Sequence, residues 1–390
     1  MSYRSAWRLR AALLVAGARI AWASDPASAQ LTMGAEARVQ AASNPLLLPG
    51  DDRDAILAEA SVRPRYRTIS ATGDVLEVAG VLTGRTFSRL YRDYLLGSLR
   101  GSGTLRDSER LSASASVGYV RDLAGDAIAA SVAAAIAPQS VRNLWQTAAD
   151  LTWRPDARTT IRPAIAAERA TFSDSVLLRD TGSARLEIAL LRLLSAQTWV
   201  GVRPLATVSR TAGQPGLTRA AGFAVLDSQL SPTVHLRAEA GMEHVDAAPA
   251  TALLARRPAA TAVAGSIDLC QRRARTDLCA LASLGSEVSA LTGFQRRLAG
   301  GLTLSHRIDE RWTLVAQADY QRIAAPRGAA AAIPVRDLDA LAALLRFDRR
   351  TGPATTLSGE LSYAQRGTGA GSTPRSLYAG VRFRWEPRVR

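Results

Sequence analysis

Two cysteines, three histidines and 49 basic residues, all of them arginine, are the side chains in this 390-residue sequence that could do chemistry. Cys270 and Cys279 are separated by eight residues containing three arginines, and in an oxidising compartment they are expected to form a disulfide that staples one hairpin end. A metal site is not expected from two cysteines with no histidine nearby. The histidines are His235, His244 and His306. His235 shares a polar face with Glu239, but four residues along an extended strand put the two beyond hydrogen-bond reach. No nucleophile elbow, zinc signature or glycine-rich phosphate loop accompanies them, so neither enzymatic activity nor a cofactor is expected.

The arginines are spaced in a way that matters more. Arg63, Arg65 and Arg67 fall on one side of an extended segment whose other side carries Val62, Pro64 and Tyr66; Arg382 and Arg384 repeat the pattern, and Arg237 lies in a row with His235, Glu239 and Glu243. A guanidinium does not deprotonate in proteins, and basic rings lining a pore favour anions. The alternative is that these arginines pair with carboxylates in the same interior, for which Glu59, Glu77, Glu168, Glu187 and Glu239 are the candidates, and simply rigidify it. The formal charge is +15. Four arginines and one aspartate precede residue 30, so twelve of those positive charges stay on the chain beyond it. Anionic partners follow from that balance, but no nucleic-acid motif or dense basic run is present and nucleic acid is not expected.

Elements that would hold such rows must be strands. Leu111, Ala113, Ala115, Val117 and Tyr119 alternate with Ser112, Ser114, Ser116 and Gly118; Trp312, Leu314, Ala316, Ala318 and Tyr320 alternate with Thr313, Gln317, Asp319 and Gln321, with Val315 breaking the polar face. Leu357–Tyr363, Val234–Glu243 and Leu377–Trp385 show the same period of two. Segments of about ten residues with one apolar and one polar face suit a barrel between lipid and a polar lumen. Tyr119, Trp312, Tyr320, Tyr363 and Trp385 sit at segment ends, where a membrane interface places aromatic rings. Short turn signals (71–74, 154–157, 309–311, 352–353) alternate with longer loop candidates (44–54, 123–142, 173–182, 247–260, 323–336). The expected fold is all-β: a single transmembrane antiparallel β-barrel of about eighteen strands, with sixteen as the nearest alternative count. A secreted sandwich or propeller would also alternate, but its apolar faces would not end in aromatic girdles, and no blade-length repeat is present.

Arg4, Arg8 and Arg10 precede an apolar run from Ala11 to Ala18, and Ala27-Ser28-Ala29 offers small residues for cleavage. Residues 1–29 are therefore expected to be a signal peptide and residues 30–390 the barrel. The run is too short for a membrane helix, and no later stretch is long and apolar enough to be one.

With the aromatic-ended segment up to Trp385, the chain resembles outer-membrane β-barrel proteins of Gram-negative bacteria, whose last strand usually ends the chain on an aromatic; here Glu386–Arg390 follow. The alternating segment Leu31–Val39 runs into Ser43-Asn44-Pro45-Leu46-Leu47, and there the chain resembles large barrels associated with exopolysaccharide systems. The resemblance implies outer-membrane location, insertion by the barrel assembly machinery, and a conduit for anionic solutes or exopolysaccharide, with acidic polysaccharide or small anions as cargo. A non-conducting barrel that anchors a surface system is the alternative, and an outer-membrane hydrolase a more distant one.

Overall fold

The computed structural model describes residues 26–387 except 51, 128–136, 174, 176, 248–258, 291–292, 325–336 and 368–372. Most of the segment expected to be a signal peptide, residues 1–25, lies outside the described residues, as do parts of all five loop candidates. Residues 26–29 form the start of the first strand.

Eighteen strands follow one another: β1 (Pro26–Ala42), β2 (Ala55–Ser70), β3 (Val75–Phe87), β4 (Tyr94–Arg106), β5 (Leu111–Leu123) and β6 (Val141–Asp156). Then come β7 (Thr159–Ser173), β8 (Thr181–Ser195), β9 (Thr198–Thr211), β10 (Leu217–Ser231), β11 (Val234–Ala247) and β12 (Ala260–Arg272). The chain continues through β13 (Thr276–Ser289), β14 (Gly293–Arg307), β15 (Trp312–Ile323), β16 (Leu338–Arg350), β17 (Thr355–Gly367) and β18 (Arg375–Trp385). Each strand pairs antiparallel with its sequence neighbour, and β18 returns to β1, with Ala35 opposite Trp385 and Ala42 opposite Tyr378. The sheet closes on itself. Strand lengths run from 11 residues in β18 to 17 in β1, enough for tilted strands to cross a hydrocarbon core, which needs about 9–11 residues.

The period of two seen in the sequence is the inside–outside alternation of this wall. Leu31, Val117, Val202, Leu302 and Leu361 are among the large apolar residues left exposed on the outer face. Apolar surface in that quantity, on a closed sheet with no edge, is stable only against lipid. Outward rings form two belts: Trp312, Trp385 and Trp153 near one rim, Tyr320, Tyr363, Tyr119 and Trp145 near the other, with Tyr119 and Trp145 packed at 4.6 Å. The two rims also differ in their connections. Turns of two to four residues (71–74, 107–110, 157–158, 196–197, 232–233, 273–275, 308–311, 351–354) lie on one; every long loop lies on the other. The turn expected at 154–157 comes later, at Ala157-Arg158, because β6 continues through Pro155. The β6–β7 ladder shifts register between Trp153 and Asp156, the kind of irregularity at which a proline, having no N–H to donate, is accommodated.

Candidate functional site: a charged lumen

Inward-facing positions carry the polar half of the alternation, and the most buried charges there are held in two clusters. The first spans the β17–β3 wall. Glu36 on β1 accepts Arg63 at 2.9 Å and lies 3.4 Å from Arg384 and 3.7 Å from Arg382. Glu360 on β17, with a side chain 1% exposed, receives Arg382 at 2.7 Å, Gln40 at 2.6 Å and Arg38 at 3.5 Å. Glu59 joins Arg38 and Arg85, and Arg85 reaches Asp126 at 2.9 Å in a 3-10 turn, Ala124–Ala127, that folds inward from the loop rim. The arginines of this cluster outnumber its carboxylates by one.

A second cluster spans β8–β14. Arg203 on β9 bridges Glu187 at 3.0 Å and Glu239, and stacks over Phe223 at 4.8 Å. Glu243, also 1% exposed, accepts Arg219 at 2.7 Å, Arg296 at 2.7 Å, and both the N–H and hydroxyl of Ser286. The ends of β13 and β14 fold inward here, since β12 pairs with β13 only from Gly265↔Leu284 downward. The backbone N–H of Arg179 donates to the Ala290 carbonyl and the Thr211 hydroxyl to that of Ser289, so the hairpin tip crosses towards the ends of β8 and β9.

The six arginines singled out in the sequence all sit on inward-facing positions. Arg63, Arg382 and Arg384 meet at Glu36; Arg65 pairs with Glu77 at 2.8 Å and Arg237 with Glu239 at 3.0 Å. Arg67, nearest the turn rim, makes no ion pair among the described residues. Of the candidate carboxylates, Glu59, Glu77, Glu187 and Glu239 have arginine partners, whereas Glu168 is held by the Ser183 hydroxyl at 3.2 Å. The same alternation, extended along each strand, marks residues that the sequence analysis passed over: Glu36, Arg38, Arg85, Arg203, Arg219, Glu360 and above all Arg100.

Arg100 faces the lumen from the middle of β4 and has no carboxylate partner among the described residues. It borders a cavity of about 840 Å³ lined also by Ser98, Ser116, Gln146 and Ser183, by Arg203 and Arg297, which are ion-paired, and by the carboxylates Glu168, Glu239 and Glu287. Below it, Arg67, Arg106, Arg162 and Arg350 face inward towards the turn rim, likewise without an ion pair among the described residues. This interior can therefore offer guanidiniums to a passing anion.

The loop rim is partly occupied by the segment 43–54. Asn44 closes it, its side chain donating to the Leu48 carbonyl at 2.8 Å and accepting the Leu48 N–H at 3.0 Å. Leu47 adopts φ 49°, a conformation a bulky side chain takes only when its surroundings compel it. The compulsion is burial: Leu47 packs with Ile323, Ala340 and Ala364 of β15–β17, and Leu46 with Leu96, Leu123 and Val141 of β4–β6. The loop thus lies across the mouth between two walls, fastened further by Arg366 to the Leu47 carbonyl and Tyr378 to that of Pro45.

Cys270 and Cys279 stand opposite each other on β12 and β13, joined Sγ to Sγ, on the lumen side of the 273–275 turn. His235 lies 2.8 Å from Asp227, but no nucleophile is among the described partners of that pair. His244 and His306 meet threonine hydroxyls. Among the described residues no three of His, Cys, Asp or Glu converge as a metal site would require.

No protein-family model matches the chain, and no curated protein matches it in sequence. Among solved structures, Pseudomonas aeruginosa OpdO superposes with a TM-score of 0.51 at 11% identity, over 92% of this chain and 97% of that one. Acinetobacter baumannii OccAB2 gives 0.49 at 7% identity over 94% and 100%, and P. aeruginosa OccK2 (OpdF) in complex with glucuronate gives 0.48 at 10% over 93% and 99%. The fold of this chain is a closed eighteen-strand antiparallel barrel of the kind found in outer-membrane porins.

Proposed function

We propose that the chain is an outer-membrane channel for small anionic solutes, with its loop rim outside the cell and its turn rim in the periplasm. In this reading residues 1–29 direct export and the barrel assembly machinery inserts the barrel. The observation that carries it is the charge left over in the lumen: the buried carboxylates Glu239, Glu243 and Glu360 are already committed to arginines, whereas Arg100 and the turn-rim arginines Arg67, Arg106, Arg162 and Arg350 are not. Of the inward acids without an arginine, Asp150, Glu168 and Asp319 are each held by a neutral side chain, and Asp268 lies 3.3 Å from the Cys270 sulfur. In a wall of low dielectric, such uncompensated guanidiniums raise anion concentration and repel cations. Small solutes are favoured over a polysaccharide, because the 43–54 loop and the β13–β14 tip both occupy the mouth. The same loop favours the second reading, a barrel that does not conduct and serves as an anchor.

Single-channel recording of the refolded chain in planar bilayers separates the readings, using reversal potentials in a salt gradient with an acidic polysaccharide added as blocker. Anion-selective current that small carboxylates carry and polymer does not enter supports the proposal. A folded barrel without current supports the anchor, and current blocked within the pore by polymer supports export of polysaccharide.

A further inference from the structure

The outer wall is apolar between its two rims; Arg192 and Arg349 face outward near the turn rim, and near the loop rim charge is distributed unevenly. Across β5–β9 the ladder registers align Tyr119, Trp145, Arg169, Gly182 and Arg210 in one row, all at outward-facing positions. One step nearer the rim the next row begins Arg121, Asn143, Thr171. Arg169 and Arg210 are exposed, two strands and so about 10 Å apart. Between them Gly182 leaves a gap: a Cβ there would meet nothing nearer than the Glu168 carbonyl at 3.7 Å. Arg121 is steadied by neutral acceptors, the Asn143 amide oxygen at 3.0 Å and the Leu95 carbonyl at 3.1 Å. None of the three arginines has a carboxylate partner among the described residues. Asp180, the acid that follows the rim loop, turns its carboxylate to the Phe172 N–H at 3.2 Å.

Elsewhere on this rim the outward charge is disposed of differently. Arg322 on β15 is neutralised by Asp337 at 2.8 Å, Arg296 turns to Glu243, and Arg375 stands singly on β18. An arginine at the edge of hydrocarbon costs free energy unless its head meets an anion at headgroup level. Three on one arc, beside a Trp–Tyr pair and an amide, make a strip matched to phosphate groups held at that height, and arginine forms bidentate bonds to phosphate.

We propose that the strip Arg121–Arg169–Arg210 binds the net-anionic, phosphate-monoester headgroup of a membrane lipid in the leaflet at the loop rim. The proposal rests on the barrel lying in a membrane and is independent of whether its lumen conducts.

The test is native mass spectrometry of the full barrel released from vesicles of phosphatidylcholine that contain a minor fraction of a diphosphorylated glucosamine lipid. Wild type should retain the diphosphorylated glucosamine lipid, whose phosphate monoesters carry net negative charge, and not zwitterionic phosphatidylcholine. Retention should weaken about five-fold for each arginine replaced by glutamine and about a hundred-fold for R121Q/R169Q/R210Q together. R322Q/R375Q, which removes two outward arginines elsewhere on the same rim, should retain it as wild type does, whereas R169Q/R210Q, with the same number of charges removed, should not. Equal retention by the triple variant and wild type overturns the proposal, as does displacement by millimolar inorganic phosphate, which would make the strip a site for the free ion. A barrel that inserts without retaining the lipid refutes the strip alone; one that never inserts refutes the membrane reading and the strip with it.

Discussion

Reversing the charge at Arg100 is the sharpest test of what the lumen does. A cavity of about 840 Å³ has the volume of a sphere about 6 Å in radius, so an ion at its centre lies about 6 Å from a guanidinium on the wall. At that distance in water a unit charge contributes about 0.7 kcal/mol, and screening at 0.1 M salt leaves about 0.4. Arg100→Glu changes the wall by two charges, which lowers anion partitioning about 3.6-fold and raises that of cations equally. The permeability ratio should then fall about ten-fold at 0.1 M and only about two-fold at 1 M, where the Debye length is about 3 Å. Arg100→Gln should show the square root of each effect. Reversal potentials across a salt gradient, recorded on channels of unchanged heat-modifiability, read the ratio directly. If R100E folds and conducts with its reversal potential unmoved at 0.1 M, the uncommitted arginine does not set permeation and the argument from leftover charge fails.

Glu360→Gln leaves Arg38 and Arg382 facing a neutral amide in a site 1% exposed, although each keeps a second carboxylate. The barrel should lose about 3 kcal/mol, the low end for a broken buried pair, in urea unfolding from vesicles; a loss below about 1 kcal/mol would mean the network is not held as drawn. Replacing Leu46 and Leu47 together by aspartate removes two buried side chains worth about 1.5–3 kcal/mol each, so the 43–54 loop should leave the mouth and unit conductance should rise; an unchanged conductance would show that the loop does not limit the pore. In the 71–74 turn, the Arg106 N–H at 2.9 Å and the Thr72 hydroxyl hold the Asp74 carboxyl below its usual range. A depressed carboxyl stabilises above its unfolded value near pH 4 and loses that contribution as pH falls through the folded value, so D74N should lower the unfolding temperature slightly at pH 6 and by less at pH 3. A deficit of the same size at both values would trace the effect to the turn's shape and not to its charge.

What the sequence discloses and what it conceals divide along the range of the interaction. Alternation is local: Leu111–Tyr119 or Trp312–Gln321 states its two faces within ten residues, and Gly352-Pro353 or Asp309-Glu310-Arg311 marks a turn on the spot. Strand number, closure and the inward orientation of Arg63, Arg65, Arg67, Arg237, Arg382 and Arg384 all follow from such local marks. Partners do not. Arg38 meets Glu360 across the seam between the chain's two ends, a separation of 322 residues, and that adjacency exists only once the sheet has closed. Leu46 and Leu47 look like a stray apolar pair in a loop, because the pockets that receive them belong to β4–β6 and β15–β17. Arg100 escaped notice for another reason: one arginine among Leu, Gly and Ser makes no row, and its weight comes from lacking the acid that its counterparts have.

The pairing of β1 with β18 has a consequence for biogenesis. Only eight residue pairs, Ala35↔Trp385 to Ala42↔Tyr378, join strands separated by almost the whole chain, against sixteen between β1 and β2. Bringing such distant ends together costs about 5 kcal/mol in loop entropy if the intervening chain is free, and far less once seventeen hairpin-linked strands have curved to present both edges. The seam is therefore the last ladder to form, and until the final eleven residues of β18 arrive the growing sheet carries two open edges. Bare edges are untenable in hydrocarbon and adhesive in water. A translation product truncated before Arg375 would thus be a substrate for proteolysis or aggregation, since it would have no way to become a smaller pore without re-registering every strand.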